Sequence, residues 1–409
     1  MTRLYIYPLL FSMICTLCSP FHFVRYTSDN ENQNSPPASG IELAAPPASG
    51  IELAAPSAIL MEANTGTILY EKNSHEKMPP ASITKIMTLD LIFEALAKGQ
   101  IHKEDEVTVS EHAASMGGSQ VYLEVGETQT VDTMIKCISI CSANDACVAM
   151  AEYIDGTEDA FVIHMNEKAA ALGMKDTTFV NCCGLEADGH VTSAYDIALM
   201  SRELSVKHPE IHDYCTVWMD TIIHKTRKGE SEFGLTNTNK LLRQYRYCTG
   251  LKTGFTSQAK FCLSATATRD NVDLIAVVMA EEDSKIRNKE AASLLDYGFA
   301  HCQVFSDPLS TPLPDLRVDR GTEEYVSLHY ASPFEYVITD GTSADAITKE
   351  LHLPESVSAP LKENDVIGSV DYSCNGKSIG TVDILASKEI PSATLRDYFL
   401  DCLMLLLIQ

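Results

Sequence analysis

The pattern of apolar and polar residues after position 56 predicts most of the elements of the chain. Ser57–Tyr70 alternates between the two classes around Asn64-Thr65-Gly66, which predicts a β-hairpin. Ser82–Lys98 has apolar residues on most of its helical circumference and is followed by Gly99, which predicts a buried helix. Further helices are predicted over Val131–Ser139, Asp145–Ile154 and Ser193–Leu204.

Beyond Tyr247, apolar residues no longer recur at helical spacing but at every second position. Three alternating runs joined by short turns predict an antiparallel meander, and a helical pattern follows over Ser284–Ala300. The three strands are predicted at Cys248–Gly254, Phe261–Arg269 and Val272–Ala280. Strands and helices that share one sheet in this order predict an α+β domain over residues 57–303.

A second, smaller domain is predicted after a boundary at Asp307–Pro314, which contains three prolines. Short alternating runs separated by turn residues predict an all-β domain over residues 304–390. These runs are Tyr325–His329, Glu335–Ile338, Val366–Asp371 and Ser378–Leu385. Residues 391–409 are predicted to end the chain in an apolar or amphipathic helix, with several apolar residues of Thr394–Gln409 on one face.

The first 56 residues differ in character from the rest. Met1-Thr2-Arg3 carries one positive charge and precedes an uncharged run, Leu4–Leu17. This predicts a signal peptide over residues 1–25 and hence export, with a buried N-terminal helix as the alternative. Residues 26–56 are predicted to be a disordered linker rich in Pro, Ala, Ser and Gly, in which Pro36–Ala45 is repeated word for word as Pro46–Ala55.

Composition and charge narrow the possible functions. The 409 residues carry 31 Lys and Arg against 56 Asp and Glu, a formal charge of −25, so a nucleic-acid partner is not expected. Thirteen cysteines are present, and two of them lie in the predicted signal, which leaves an odd number. The spacing fits neither a disulfide scaffold nor a pair of C-x-x-C zinc ligands, so we expect free thiols and no metal site.

Ser82-Ile83-Thr84-Lys85 is the first candidate for chemistry. A serine at a helix N-terminus lies near the positive end of the helix dipole, and Lys85 is one turn further on. A desolvated lysine near a second cation can accept a hydroxyl proton. Because Ser74-His75-Glu76-Lys77 has the same spacing in a polar stretch, the motif alone is weak.

Two further motifs follow, each with an ordinary structural interpretation. Ser142-Ala143-Asn144 lies between two predicted helices and could relay a proton and bind an amide, or could simply cap the second helix. Lys252-Thr253-Gly254 lies on the first meander strand, where Gly254 allows another backbone to approach closely and Lys252 and Thr253 offer a cation and a hydroxyl to a carboxylate. The alternative is an ordinary strand that ends in a turn.

Taken together and in this order, the three motifs resemble those of serine acyl-transferases of the penicillin-binding and β-lactamase class. Over Ser57–Ala300 the chain is similar to low-molecular-weight penicillin-binding proteins, the serine-type D-alanyl-D-alanine carboxypeptidases. The similar stretches include PPASITKIMT, SANDA, HVTSAYD and GLKTGFT. The resemblance implies a β-lactamase/transpeptidase-like domain: an antiparallel sheet with helices on both faces, plus a helical subdomain.

The resemblance also implies a set of roles. Ser82 would attack the penultimate carbonyl of a peptidoglycan stem peptide, Lys85 would accept its proton, and Ser142 would relay a proton to the departing D-alanine. Asn144, Lys252, Thr253, Gly254 and Phe255 would bind substrate, with the backbone N–H groups of Ser82 and Phe255 holding the oxyanion. No cofactor is implied, and β-lactams would acylate Ser82.

Two other functions share these motifs, namely a β-lactamase and a non-catalytic penicillin-binding sensor. The family would place the protein outside the cytoplasm, at the cell wall or the outer face of the cytoplasmic membrane. Its members use a basic C-terminal helix to lie on the membrane, whereas Arg396 is the only cation of this tail. Peripheral membrane contact is therefore expected to be weak.

Overall fold

A computed structural model describes residues 51–227, 229–339 and 341–399. The predicted signal peptide, most of the linker and most of the C-terminal helix lie outside these residues. Within the described part, no helix is both long and apolar enough to cross a membrane.

The central sheet has five antiparallel strands in the order β2-β1-β9-β8-β7. The predicted hairpin supplies β1 and β2, and the predicted meander supplies the other three strands. Their bounds are β1 Ser57–Glu62, β2 Ile68–Lys72, β7 Cys248–Thr256, β8 Lys260–Arg269 and β9 Val272–Glu281. Two separate two-stranded sheets pair β3 Glu106–Thr108 with β4 Thr128–Thr130, and β5 Met219–Thr226 with β6 Gly229–Thr236.

Helices cover both faces of the central sheet, as the sequence predicts. Ile275, Val277 and Met279 of β9 pack into the core that includes α1, whereas Leu274 and Val278 pack into the core that includes α9. The helices are α1 Lys85–Ala97, α2 Glu111–Ala114, α3 Val131–Cys141, α4 Asn144–Asp155, α5 Glu158–Ala171, α6 Ala194–Lys207, α7 His212–Cys215, α8 Leu241–Gln244 and α9 Ser284–His301.

Helix α1 is buried on almost every side, but it begins later than the sequence predicts. Ala81–Thr84 forms a 3₁₀ turn, hereafter the Ser82 turn, and α-helical geometry begins at Lys85. The helix ends before Gly99, whose φ of +66° is in the left-handed region. Ser82 therefore lies in a tight turn that leads into the helix and not at the first α-helical position.

The second domain consists of β-strands, in agreement with the predicted fold class. One sheet pairs β10 with β14, and a second pairs β11 with β12 and β16. The third has four strands in the order β13-β18-β17-β15. The strands are β10 Gln303–Asp307, β11 Leu316–Asp319, β12 Tyr325–Val326, β13 Leu328–Tyr330, β14 Phe334–Ile338, β15 Ile347–His352, β16 Ser356–Ser358, β17 Val366–Cys374 and β18 Lys377–Ala386. Because β10 directly follows α9, the predicted division at residues 303–304 falls at the start of a strand, and it stays a prediction.

All ten described cysteines have free thiols. Six of them are buried, and Cys137, Cys147, Cys182, Cys183, Cys215 and Cys262 all belong to the apolar cores. Burial raises the pKa of most of them; the pKa of the Cys215 thiol, for example, lies well above its ordinary value. In the described part of the chain they act as small apolar residues, as the sequence predicts.

Candidate active site

The three sequence motifs meet where the Ser82 turn, the α3–α4 junction and strand β7 come together. Lys85 is completely buried, and its Nζ donates to Ser82 Oγ at 3.1 Å. The same amine donates to Asn144 Oδ1 at 2.6 Å and to the carbonyl oxygen of Cys183 at 2.6 Å. One amine thus joins the first motif to the second.

Lys252 joins the second motif to the third. Its side chain is 1% exposed, and its Nζ donates to Ser142 Oγ at 2.9 Å and to the carbonyl oxygen of Thr253 at 3.2 Å. Burial, followed by the nearby charge of Lys85, lowers the pKa of Lys252 to about 7. The two amines are close enough to interact electrostatically, and this interaction together with burial disfavours the charged form of Lys252.

The break between α3 and α4 presents both polar side chains of the second motif. Ser142 ends α3 with φ +66° and ψ 36°, a left-handed conformation that is uncommon for a residue with a side chain. The N-cap of α4 is Ala143, which makes no side-chain capping bond. The alternative interpretation of Ser142 and Asn144 as a capping pair is therefore wrong.

Asn144 is held from several directions. Its Nδ2 donates to the carbonyl of Gly117 at 2.7 Å, and its backbone N–H donates to the carbonyl of Ser119 at 2.7 Å. Asp145, 1% exposed, accepts from the backbone N–H groups of Val121 and Leu123. The segment after α2 is thereby fixed beside the α3–α4 junction.

Strand β7 lies directly against the Ser82 turn. A Cβ at Gly254 would meet the carbonyl oxygen of Pro80 at 3.0 Å and Ala81 Cβ at 3.2 Å. The lack of a side chain at Gly254 therefore allows β7 to lie close to the Ser82 turn, and not only to a substrate as the sequence suggests. Thr253 Oγ1 lies 2.7 Å from Thr238 Oγ1, and Phe255, 56% exposed, packs its ring on Phe261.

The repeated Ser-x-x-Lys spacing occupies a different place. Ser74 donates to Glu71, and the Lys77 side chain is 56% exposed. Neither contacts the motifs described above in the hydrogen bonds of the described residues. The spacing of the two copies is the same, but only Ser82 and Lys85 meet other polar groups of the site.

Several groups at the site carry no local sequence signal. Arg287 of α9 is 5% exposed, donates to the Cys262 carbonyl, and its charge helps to lower the pKa of Lys252. The Cys183 carbonyl is a backbone atom, so its contact with Lys85 depends on the path of the loop and not on residue type. No group of three His, Cys, Asp or Glu within the described residues is placed to hold a metal ion.

Sequence comparison identifies two families along the chain. The profile described as D-alanyl-D-alanine carboxypeptidase matches residues 42–283, more than half of the chain. The profile described as penicillin-binding protein 5, C-terminal domain, matches residues 310–392.

Individual relatives agree with these matches. D-alanyl-D-alanine carboxypeptidase DacF of Bacillus subtilis is 41% identical over 339 residues, which cover 82% of this chain and 86% of the relative. DacA of Escherichia coli K12 is 31% identical over 362 residues, covering 85% and 86%. The solved structure of penicillin binding protein 5 from Haemophilus influenzae aligns with a TM-score of 0.71 at 30% identity, covering 85% of this chain and 100% of that one. This chain therefore belongs to the D-alanyl-D-alanine carboxypeptidase family of low-molecular-weight penicillin-binding proteins.

Proposed function

We propose that this protein removes the terminal D-alanine from peptidoglycan stem pentapeptides through an acyl-enzyme on Ser82. The observation that carries the proposal is the position of Lys85 Nζ, 3.1 Å from Ser82 Oγ and 2.6 Å from Asn144 Oδ1. A hydroxyl, an amine and a carboxamide in direct contact form the arrangement that an activated serine nucleophile requires.

The first chemical step forms a tetrahedral intermediate on Ser82. Ser82 Oγ attacks the penultimate carbonyl carbon while its proton passes to the amine of Lys85. The backbone N–H groups of Ser82 and Phe255 hold the oxyanion, and loss of one such donor raises the barrier by about 2.7–4 kcal/mol. The approach of Gly254 to the Ser82 turn supports this pairing, because Phe255 follows Gly254 directly.

The second step releases D-alanine and leaves the acyl-enzyme on Ser82, which a third step hydrolyses. As the amide C–N bond breaks, Ser142 passes a proton to the departing amine, and its contact with Lys252 at 2.9 Å supports this relay. Lys252 and Thr253 bind the substrate carboxylate, and Asn144 binds the acyl part. Water then hydrolyses the ester on Ser82. β-Lactams, which share the reactive carbonyl, acylate the same hydroxyl.

The decisive experiment measures free D-alanine released from a pentapeptide that ends in D-Ala-D-Ala. We expect wild-type protein to release it and Ser82→Ala to release none while keeping its melting temperature within a few degrees. Mass spectrometry after exposure to penicillin should find the adduct on Ser82. Rapid penicillin turnover without D-alanine release would indicate a β-lactamase, and covalent capture with neither activity would indicate a sensor.

We further propose that the protein acts outside the cytoplasm, where peptidoglycan lies. The export signal that this requires falls outside the described residues. Leu395, Tyr398 and Phe399 are exposed at the end of the described chain, which supports a peripheral contact with the membrane. Sedimentation with anionic and neutral vesicles tests this contact, and equal, weak binding to both is expected since Arg396 is the only cation of the tail.

A further inference from the structure

The segment 180–190, hereafter the 180–190 loop, contacts the Ser82 turn and α1 along one face. A Cβ at Gly184 would lie 1.9 Å from the Ala81 carbonyl oxygen, so the loop backbone lies directly on the residue before Ser82. The other contacts are hydrogen bonds to three side chains between Thr84 and Thr88, a span of about one helical turn. They run from Thr84 Oγ1 to His190 Nε2 at 2.8 Å, from Lys85 Nζ to the Cys183 carbonyl at 2.6 Å and from Thr88 Oγ1 to the Cys182 carbonyl at 2.5 Å.

Among the described residues of the loop, His190 is the only one that makes these contacts through an ionisable side chain. Its hydrogen-bond partners determine which ring nitrogen carries the proton. The backbone N–H of Val180 donates to His190 Nδ1 at 2.9 Å. A backbone N–H can only donate, so Nδ1 is unprotonated and the proton of the neutral ring is on Nε2. Nε2 therefore donates to Thr84 Oγ1.

The hydroxyl of Thr84 continues this chain of hydrogen bonds to the Ser82 turn. Thr84 is completely buried, and its Oγ1 donates to the Ala81 carbonyl at 2.9 Å. Ala81 has a φ of +46°, a left-handed conformation that is strained for a residue with a Cβ and must be held by its surroundings. The next residue is Ser82.

We propose that neutral His190 is a positioning residue, which through Thr84 and the Ala81 carbonyl holds Ser82 Oγ in place beside the Lys85 amine. The inference rests on the proposed function, because it assigns His190 a part in the acylation of Ser82. His190 itself touches neither Ser82 nor Lys85 in the hydrogen bonds of the described residues.

The surroundings of His190 favour the neutral ring that this arrangement needs. The side chain is 4% exposed, and the ring of Phe179 lies 5.9 Å away between centroids. Burial lowers the pKa of His190 to about 4. Protonation would place a hydrogen on Nδ1, where it would face the backbone N–H of Val180, and the hydrogen bond between these two groups would be lost.

Two pairs of variants separate positioning from packing. In His190→Asn the amide oxygen can replace Nδ1 for Val180 but does not reach Thr84, whereas the amide nitrogen of His190→Gln can replace Nε2. Thr84→Val removes the hydroxyl at nearly constant volume, and Thr84→Ser keeps it. The readouts are the rate constant for acylation of Ser82 by a penicillin, the dissociation constant of the preceding non-covalent complex, and the melting temperature.

We expect His190→Asn and Thr84→Val each to slow acylation by about tenfold or more, since small displacements of reacting groups have effects of this size. The non-covalent dissociation constant should change by less than about twofold, because the substrate contacts are untouched. His190→Gln and Thr84→Ser should retain most of the rate. The double variant His190→Asn/Thr84→Val should be no slower than either single variant, because both interrupt one chain of hydrogen bonds.

Acylation at the wild-type rate in both His190→Asn and Thr84→Val would overturn the inference and leave the proposed function standing. Equal losses of rate and melting temperature in all four variants would also overturn it, because packing alone would then explain His190. A wild-type protein that neither releases D-alanine nor is acylated would reject the proposed function, and this inference with it.

A measurement that does not need activity tests the tautomer. In ¹⁵N-histidine-labelled Ser82→Ala protein, the His190 signals are identified by their loss in a Ser82→Ala/His190→Asn sample. We expect the Nδ1 shift of an unprotonated nitrogen and the Nε2 shift of a protonated one near neutral pH. The reverse assignment contradicts the proposed chain of hydrogen bonds.

Discussion

Lys85 and Lys252 are the residues on which the proposed chemistry of the candidate site depends. Both are buried, and their amines donate to side-chain and backbone oxygens of all three motifs. Burial alone disfavours a charged lysine, and a second amine nearby disfavours it further. The sequence predicts that these residues meet, but the lowered pKa of Lys252 follows only from its burial and from its distance to Lys85, both of which the fold imposes.

The lowered pKa of Lys252 predicts a pH-dependent stability. Between pH 7 and its ordinary 10.5, Lys252 is neutral in the folded protein and protonated in the unfolded chain, so the free energy of unfolding rises with pH there. Lys252→Met lacks this titration. It should exceed wild type in stability most at and below pH 7, and the difference should shrink by about 3 kcal/mol towards pH 10. Urea unfolding at several pH values measures it.

Ser142→Ala is the control for this prediction. It removes the contact of Lys252 with Ser142 Oγ at 2.9 Å but keeps the amine. Its difference from wild type should stay nearly level across the same range. A difference for Lys252→Met that is equally level would contradict the buried, partly neutral amine.

Among the elements, the approach of β7 to the Ser82 turn matters most for the site. Ala81–Thr84 is a 3₁₀ turn packed against a strand glycine, and the polar groups of the third motif follow from that strand. Periodicity predicts the strand and the helix that follows the turn, but not the turn itself. It does not predict how near they come, because that distance depends on side chains from separate segments.

Gly254→Ala tests the importance of this distance. Its Cβ would lie 3.1 Å from Ile83 Cγ1 and 3.0 Å from the Pro80 carbonyl oxygen, so the strand or the turn must move by a few tenths of an ångström. We expect acylation of Ser82 by penicillin to slow by about tenfold or more, while the free energy of unfolding falls by about 1–2 kcal/mol.

Gly234→Ala is the matched control, because Gly234 is also a strand glycine and a Cβ there would meet nothing within 4 Å. Its acylation rate should equal that of wild type. If both alanine variants acylate equally fast, the close approach of β7 has no part in the reaction.

At the scale of the whole molecule, the segment that enters the fold is held by groups far away in the sequence. The Glu290 carboxylate of α9 accepts from the backbone N–H groups of Ala54 and Ala55, and Leu53 packs into the core under α9. Glu281 at the end of β9 is 3% exposed, and its carboxyl group is close enough to that of Glu290 for the two to interact. Three distant segments therefore share one pair of carboxyl groups.

This pair predicts a gain of stability from Glu281→Gln. Burial, and next the hydrogen bond and charge of Glu290, raise the pKa of Glu281 to about 7. Since the folded protein holds this proton up to pH 7 and the unfolded chain loses it near 4.5, the free energy of unfolding falls as the pH rises between these values. Glu281→Gln should exceed wild type by about 1–3 kcal/mol at pH 8, with the advantage lost by pH 4.

Glu290→Gln tests whether the gain is specific to Glu281 or follows from the removal of either negative charge. The amide cannot accept from both Ala54 and Ala55 as the carboxylate does, so this variant should be less stable than wild type at both pH values. Thermal melting of the three proteins at pH 4 and pH 8 is sufficient. An equal gain in both variants at pH 8 would contradict the proposed pairing.

Elements with a strong apolar period were predicted to within a few residues, and those without one were missed. Helix α9 was expected over Ser284–Ala300 and spans Ser284–His301. Strands β5 and β6 were missed because most of their side chains are exposed, so no alternation marks them. Helix α5 was missed as well, since only Phe161, Met165 and Ala169 of its fourteen residues are buried.

The sequence by itself determined the family, the α+β class with its following β domain, and the three motifs, because apolar period and residue type are local properties. The comparisons confirm the family prediction, and the structure brings Ser82, Lys85, Ser142 and Lys252 together. Three features were determined only by the tertiary structure: the 3₁₀ geometry at Ser82, the hydrogen bond from Lys85 to the Cys183 carbonyl, and the hydrogen bond between His190 and Thr84. Each of these depends on atoms brought together from separate parts of the chain, and no local pattern encodes such a distance.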